Sequence, residues 1–458
     1  MPLPDRILRL LCLFAAIISL SLNSKLKTQN SKPAKLVPLL LRWFAANARD
    51  LPWRRTCDAY AIWVSEIMLQ QTQVKTVLPY WKRWMRELPT IEAVAKASPD
   101  KIHKLWEGLG YYTRARNLQK AAQAIVNRAP STRPSPPVGE KVPAGRMRGN
   151  SRRSPLQSQP FLKCVKFPEK YDEVFALPGI GRYTAGAICS IAFNQPTPIL
   201  DGNVIRVLTR IFGIAENPRE KNTDARLWAL ASDLVGWAVP SPPRRGGDTA
   251  PYRTACGDSP PTTNWNCSHF NQSLMELGAL ICTPRNPQCR ICPAKRFCVA
   301  FRENRVEELP NVGRRLTTTH RHFVAFIVQR NGHFLVRQRP AGVVNAHLWE
   351  FPNEEILDGT FDAKLAAKQF GGAELRGIEP LCTIKHSIMR YRITLEAWHA
   401  DFGGTSDTSP HLKSRKSGAR VTRPSETIGV WRTLAQMDQL AFSSAHKKIL
   451  SKLRAHSQ

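Results

Sequence analysis

Four of the chain's eleven cysteines stand in one short run, Cys282, Cys289, Cys292 and Cys298, spaced C-x6-C-x2-C-x5-C. Thiols this close in sequence can surround one centre, and an all-thiolate set of four is the ligand set of iron–sulfur clusters and of some zinc sites. A zinc ribbon typically has two C-x2-C knuckles at wider separation; this run has one, which favours iron–sulfur. The other seven (Cys12, Cys57, Cys164, Cys189, Cys256, Cys267 and Cys382) are scattered, whereas a disulfide-rich secreted domain is shorter and denser in cysteine. Arg285, Arg290, Lys295 and Arg296 lie between the ligands. They would make the ligand loop a basic knob suited to phosphate contact.

At 458 residues and 42% hydrophobic composition the chain is too long for one compact core, so two or three domains are expected. Lys and Arg number 67 against 35 Asp and Glu, a formal charge of +32, which suits a polyanionic partner, nucleic acid first. Part of that excess sits in two stretches rich in Pro, Arg, Ser and Gly, 129–168 and 239–268. Neither buries enough apolar surface to offset its ordering entropy, so both are expected to be disordered insertions.

Near the N-terminus, Arg6 and Arg9 precede the apolar run Leu10 to Leu22, with Lys25 and Lys27 behind it. The pattern resembles a signal-peptide core and is too short to span a bilayer comfortably. Export fits poorly with an iron–sulfur enzyme, so residues 1–35 are expected to be a mis-assigned start or a targeting extension. No other run is apolar enough for a membrane span. The expected compartment is the cytoplasm or nucleoid of a prokaryote, or the nucleus or mitochondrion of a eukaryote.

From 36 to 300 the pattern is helix after helix, with helical apolar spacing over Ala59 to Val77 and Ile91 to Trp106, and a start signal at Ser98-Pro99-Asp100. After a linker over 301–319 the character changes. Phe323 to Val328, an Asn331-Gly332 turn and His333 to Arg337 form a β-hairpin signal, Tyr391 to Trp398 alternates as a strand, and a helix is expected near 434–455. Residues 320–458 therefore form a separate α+β domain, with a polar loop over 403–427.

Leu177-Pro178-Gly179-Ile180-Gly181 separates two helical segments, Tyr171 to Ala176 and Arg182 to Phe193. Gly179 and Gly181 let the backbone turn tightly, and the next helix N-terminus offers N–H groups to a phosphate. Two carboxylates stand out. Glu66 lies in an apolar helix, where burial raises its pKa toward that of a general acid at neutral pH; the bland alternative is a structural Glu–Arg pair. Asp201 precedes Gly202-Asn203, as a helix N-cap or as a second, ionised carboxylate. Glycosidic cleavage through an oxocarbenium-like state needs one acid and one carboxylate with separated pKa values.

These strings, with Leu51 to Arg54, Trp63 to Val74, Gly108 to Leu118 and Phe270 to Gly278, together resemble adenine DNA glycosylases of the MutY type, in the endonuclease III superfamily. The resemblance covers about 36–300 apart from the insertions, and more weakly the C-terminal region. It implies a helix–hairpin–helix glycosylase core with a 4Fe–4S cluster on the four cysteines, and a C-terminal Nudix-like domain. Glu66 would protonate adenine, Asp201 would stabilise or transiently bond to the sugar cation, and Tyr183 would support the cation or the catalytic water. Arg54 and Asn203 would position groups in the adenine pocket. Gln70 and Gln71 would enter the gap left by the flipped base, since the bond is unreachable within the stack. Relatives that also nick the strand carry Lys where this chain has Tyr183, so a monofunctional enzyme is expected.

The implied substrate is double-stranded DNA with adenine opposite 8-oxoguanine or guanine, bound by a monomer. His386 would belong to the opposite-base reader, although Ile388, Met389 and Arg390 replace the family's usual reading loop. The acidic Nudix helix is absent after His347 to Pro352, which argues against nucleotide hydrolysis. The alternatives are the same scaffold with another specificity, such as thymine, a non-catalytic iron–sulfur DNA-binding protein, and a Nudix hydrolase.

Overall fold

The computed structural model describes residues 32–128, 165–238, 267–313, 317–356, 375–388, 390–403 and 429–456. The readings of the N-terminal 31 residues as signal-like, and of nearly all of both insertions and the 403–427 loop as disordered, fall outside the described residues.

In the described residues the helical domain is already helical at 32, ahead of the boundary at 36. Its first helix (α1, 32–47) starts at Lys32, whose Nζ donates to the Ile211 carbonyl at 2.9 Å and lies 4.3 Å from the centre of the Phe212 ring. Helix α2 (Ala59–Leu69) is capped by the Asp58 side chain, which accepts from the Tyr60 N–H, and every residue from Ala59 to Met68 is buried. The apolar spacing over Ala59 to Val77 does not form one helix. The chain turns at Gln70–Gln73, with Gln71 in the left-handed region at φ 57°, before α3 (Val74–Glu87).

The break has a cause. The Arg114 guanidinium donates to the carbonyls of Ile67 at 2.9 Å, Met68 at 3.1 Å and Gln70 at 2.6 Å, satisfying the open end of α2. Arg114 itself belongs to α6 (Thr113–Arg128), which follows α4 (Ile91–Lys96) and α5 (Pro99–Trp106). At the start of α5 the Ser98 hydroxyl accepts from the Lys101 N–H at 3.2 Å, as the sequence signal implied.

Two apolar clusters build this domain. Trp63, Trp84, Trp106 and Leu118 centre the one formed by α2 to α6. Leu40, Val207, Leu234 and Phe270 centre the other, formed by α1, α9 (Gly202–Phe212), α10 (Lys221–Gly236) and α11 (Cys267–Leu280). Helices α7 (Tyr171–Phe175) and α8 (Arg182–Phe193) flank the hairpin, and α8 contributes to both clusters. Its Gly186 sets how close α8 comes to the strand-like segment before α9, because a Cβ there would lie 2.2 Å from the Pro198 carbonyl oxygen. After a short helix, α12 (Val299–Arg302), the chain enters the C-terminal domain.

That domain is α+β with a mixed sheet. Its strands are β1 (Thr319–Arg330), β2 (His333–Gln338), β3 (Trp349–Glu350), β4 (Asn353–Ile356), β5 (Leu375–Ile388), β6 (Tyr391–Phe402) and β7 (Val430–Thr433). The order is β3-β2-β1-β6-β5, with β4 paired to β1 and β7 to β2. β1 and β6 run parallel, from Thr319 opposite Tyr391 to Gln329 opposite Asp401. The Asn331-Gly332 turn closes the β1–β2 hairpin with both residues at positive φ, 48° and 73°. The single helix expected near 434–455 is two, α13 (Leu434–Asp438) and α14 (Ser444–His456), because the chain between them bends so that Phe442 bridges to Trp349. Among the described residues no helix is long and apolar enough to cross a membrane.

Gly186→Ala forces α8 away from Pro198 and is expected to cost about 1–3 kcal/mol, the range for overpacking. A thermal melt of the variant checks this; an unchanged melting temperature would show that the segment before α9 yields freely.

Candidate active site

A cleft of about 830 Å³ opens between the two helical clusters, and Glu66, Tyr183 and Asp201 all line it. Glu66 reaches it from α2, a helix buried on every side. Its carboxylate is 5% exposed and accepts a hydrogen bond from the Tyr183 hydroxyl at 2.8 Å. Burial pushes its pKa up to about 7, with the Tyr183 hydrogen bond and Arg54 opposing and Asp201 reinforcing the rise. An acid with a midpoint there is still about half protonated at neutrality and gives its proton up readily.

Tyr183 sits in the first turn of α8, just beyond the hairpin, and its hydroxyl also lies 3.2 Å from Met275 Sδ. Burial raises its pKa well above the ordinary value, so it stays a neutral donor. Asp201 is the N-cap of α9: its carboxylate accepts from the Val204 N–H at 2.7 Å and from Asn203 Nδ2 at 3.0 Å. The sequence left open whether Asp201 caps a helix or serves the site. It does the first and faces the second. Its pKa is nonetheless raised by burial, with Val204, Asn203 and Arg206 only partly offsetting the rise, and is not depressed as a plainly ionised partner would be.

Asn203 is engaged on both sides, since its Oδ1 accepts from Arg206 Nη2 at 2.9 Å. It therefore holds Asp201 in orientation. Arg54 lines the cleft, but its guanidinium is committed to Glu276 at 2.9 Å and to the Arg49 carbonyl at 3.1 Å. Sequence reasoning assigned no role to Glu276, Arg49 or Met275. Glu276 is fully buried on α11, held by Arg49 at 2.7 Å and Arg54 at 2.9 Å. Although burial works against ionisation, those two arginines hold its pKa down to about 2. The signal was present: Glu276 is a carboxylate between Met275 and Leu277 in an apolar helix, as conspicuous as Glu66.

Gln70 and Gln71 form the turn at the mouth of the cleft. Gln70 Nε2 donates to Thr184 Oγ1 at 3.3 Å, and Gln71 is exposed. Gly179 packs against Asn117, to which a Cβ would come within 2.5 Å, at φ 78°. Gly181 is the N-cap of α8, with no side-chain cap and open space where a Cβ would point. His386 is not part of this cleft. It lies within β5, opposite Ile393, where burial and Lys448 of α14 lower its pKa.

Cys282, Cys289, Cys292 and Cys298 line a separate pocket together with Arg210, Ile211, Leu277 and Ile281, and none of the four is disulfide-bonded. Among the described residues no three His, Cys, Asp or Glu side chains are grouped as ligands of a metal ion. Arg210, 2% exposed on α9, donates to Cys282 Sγ at 3.4 Å and to the Thr283 carbonyl at 2.8 Å, and Arg206 donates to the Cys282 carbonyl at 2.7 Å.

Residues 64–232 match the HhH-GPD superfamily of base excision DNA repair proteins, and residues 323–452 match the NUDIX domain. The adenine DNA glycosylase of Rattus norvegicus is 31% identical over 473 residues, covering 91% of this chain and 77% of that protein. The chain belongs to the adenine DNA glycosylase family. The human adenine DNA glycosylase is 38% identical over 278 residues, which cover 59% of this chain and 40% of that protein. A thermostable thymine-DNA glycosylase of known structure aligns over 60% of this chain and 99% of its own, at 24% identity and a TM-score of 0.43. Adenine DNA glycosylases and their endonuclease III relatives generally bind an iron–sulfur cluster.

Glu276→Gln leaves Arg49 and Arg54 converging on a neutral amide, and a loss of about 3 kcal/mol is expected, the low end for breaking a buried pair because Arg49 is partly solvated. The depressed pKa means that this stabilisation is full above the unfolded carboxylate's pKa and is lost as pH falls toward about 2. Denaturant melts at pH 7 and pH 3 should therefore show a gap that narrows in acid; a gap independent of pH would contradict the ion-pair account.

Proposed function

We propose that this base-excision glycosylase releases adenine mispaired with 8-oxoguanine or guanine in double-stranded DNA, by hydrolysis and without strand nicking. The observation that carries the reading is Glu66: a buried acid with a pKa of about 7, hydrogen-bonded to a neutral tyrosine, on a cleft shared with Asp201.

A flipped adenine entering the cleft meets Glu66 as proton donor. Protonating the ring turns a poor leaving group into a neutral one, and the proton comes from a group close to neutrality. Asp201, oriented by Asn203 and the Val204 N–H, faces the positive charge that develops on the sugar. Tyr183 holds Glu66 by its hydroxyl and offers no amine, so a Schiff base with the sugar, the route to strand cleavage, has no nucleophile at this position. Gln70 and Gln71 stand at the mouth, where the vacated stack needs a polar filler.

The four cysteines fit an iron–sulfur cluster as a donor set: all thiols, free, lining one pocket whose other walls are largely apolar. Such a cluster would cross-link the loop and present Arg285, Arg290, Lys295 and Arg296 to the phosphate backbone. The purified protein should contain about four irons and four acid-labile sulfides per chain, as a 4Fe–4S cluster requires. Cys292→Ser should reduce both; zinc in place of iron would refute the assignment.

The function is tested with a labelled duplex carrying one adenine opposite 8-oxoguanine. Strand breaks should appear only after alkali, and the single-turnover rate should fall as pH rises through about 7, as Glu66 loses its proton. Glu66→Gln should abolish base release and retain DNA binding. Breaks without alkali, or full activity in that variant, would overturn the reading.

A further inference from the structure

The C-terminal domain docks on the same segment that supports the Gln70–Gln71 turn, and one buried carboxylate joins the two. Glu107, at the end of α5, is 5% exposed. Its Oε1 accepts from the Phe442 N–H at 3.0 Å, and its Oε2 accepts from Lys447 Nζ at 2.6 Å, both from the C-terminal domain. Lys104 Nζ completes the set, donating to Glu107 Oε2 and to the Leu440 carbonyl, each at 3.0 Å. Leu348 and Ala441 of the C-terminal domain are buried within the helical domain's first core cluster, and Arg116 Nη1 donates to the Ala346 carbonyl at 3.0 Å. With these donors Glu107 stays ionised, its pKa lowered despite burial.

The backbone of the same residue carries the contact inward. The Glu107 carbonyl accepts from Tyr80 at 2.9 Å, and Gly108, at φ 108°, turns the chain back toward α6. Beyond Gly108, the carbonyls of Leu109 and Gly110 each accept from Arg114 Nη2 at 3.1 Å. The other amino group of that guanidinium holds Ile67, Met68 and Gln70 at the end of α2, the helix that bears Glu66. Arg114 is a planar fork with fixed donor directions, so moving the 107–110 loop moves the acceptors at α2 or breaks bonds to them.

We propose that Glu107 is a positioning residue through which the docked C-terminal domain sets the Gln70–Gln71 turn and the end of α2, so that what that domain meets opposite the adenine alters the rate of adenine release. The specificity part rests on the function proposed above; the mechanical part does not.

The test uses the full chain and two variants. Glu107→Gln removes the charge that gathers Lys104 and Lys447. Lys447→Met is milder, leaving Glu107 with Lys104 and the Phe442 N–H, and serves if the first variant does not fold. Amide hydrogen exchange without DNA should quicken about tenfold over 67–73 and 108–114, beyond any change at 440–447. The ratio of single-turnover rates for adenine opposite 8-oxoguanine and opposite guanine should narrow about five- to tenfold, a modest coupling. Faster exchange confined to 440–447 would mean that Glu107 only docks the domain, and would overturn the proposal. If the wild-type protein releases adenine from neither duplex, the proposed function fails, and the exchange at 67–73 still decides the mechanical coupling.

Discussion

The site depends on leaving one buried carboxylate without a positive partner. Glu66 and Glu276 are both sunk in apolar helices and both line the same cleft, yet their protonation is opposite. Glu276 lies between Arg49 and Arg54 and its pKa falls to about 2; Glu66 has a phenol as its hydrogen-bond partner and its pKa rises to about 7. Desolvation acts on each in the same direction. The difference is the partner, and Glu276 contributes to it by occupying the cleft's two arginines. Arg54 still lowers the Glu66 pKa, but only at long range, with its own guanidinium bound elsewhere. A carboxylate that binds both arginines thus allows the other to remain an acid.

Helix α9 ties this chemistry to the cysteine loop. Asp201 caps its start, and Arg206 and Arg210 further along hold the Cys282–Thr283 backbone and the Cys282 sulfur. Arg206 also donates to Asn203, which in turn holds Asp201. One rigid element therefore fixes the orientation of the Asp201 carboxylate and the position of the basic loop. Gly278 permits the close packing of α11 beside it, since a Cβ there would lie 2.7 Å from that of Asn203. A small displacement of the loop would be felt at the Asp201 end of the cleft through bonds rather than through solvent.

What the sequence disclosed follows from what is local. Short-range signals located the hairpin, the Asn331-Gly332 turn, the Ser98 cap and the change from helical to alternating patterning. The buried position of Glu66 was legible because an acid among Ile62, Trp63, Val64, Ile67 and Met68 has no other reading than burial. The alternative weighed for it, a pairing with arginine, is realised at Glu276 instead, and no periodicity could say which acid would receive the arginines, because Arg49 and Glu276 are far apart in the chain. The broken helix after Leu69 escaped notice for a similar reason. Its terminator is Arg114, and the apolar spacing continues through the turn. His386 was assigned to the opposite-base reader by resemblance alone, and it stands on β5 opposite Ile393.

The two domains are more than tethered. Their contact is built from a carboxylate, two lysines and a backbone N–H around a buried point, with Leu348 and Ala441 completing an apolar cluster that belongs otherwise to the catalytic domain. Burying an ionised group at a domain boundary is costly unless every lone pair is met, so such a contact tolerates little sliding. An apolar contact of similar area would permit small rotations at nearly constant energy. A charged latch of this kind, placed four residues before the half-exposed Tyr111, holds the two domains in one relative position. An enzyme that acts on adenine, a base that itself carries no mark of damage, gains from a second domain held firmly against the first.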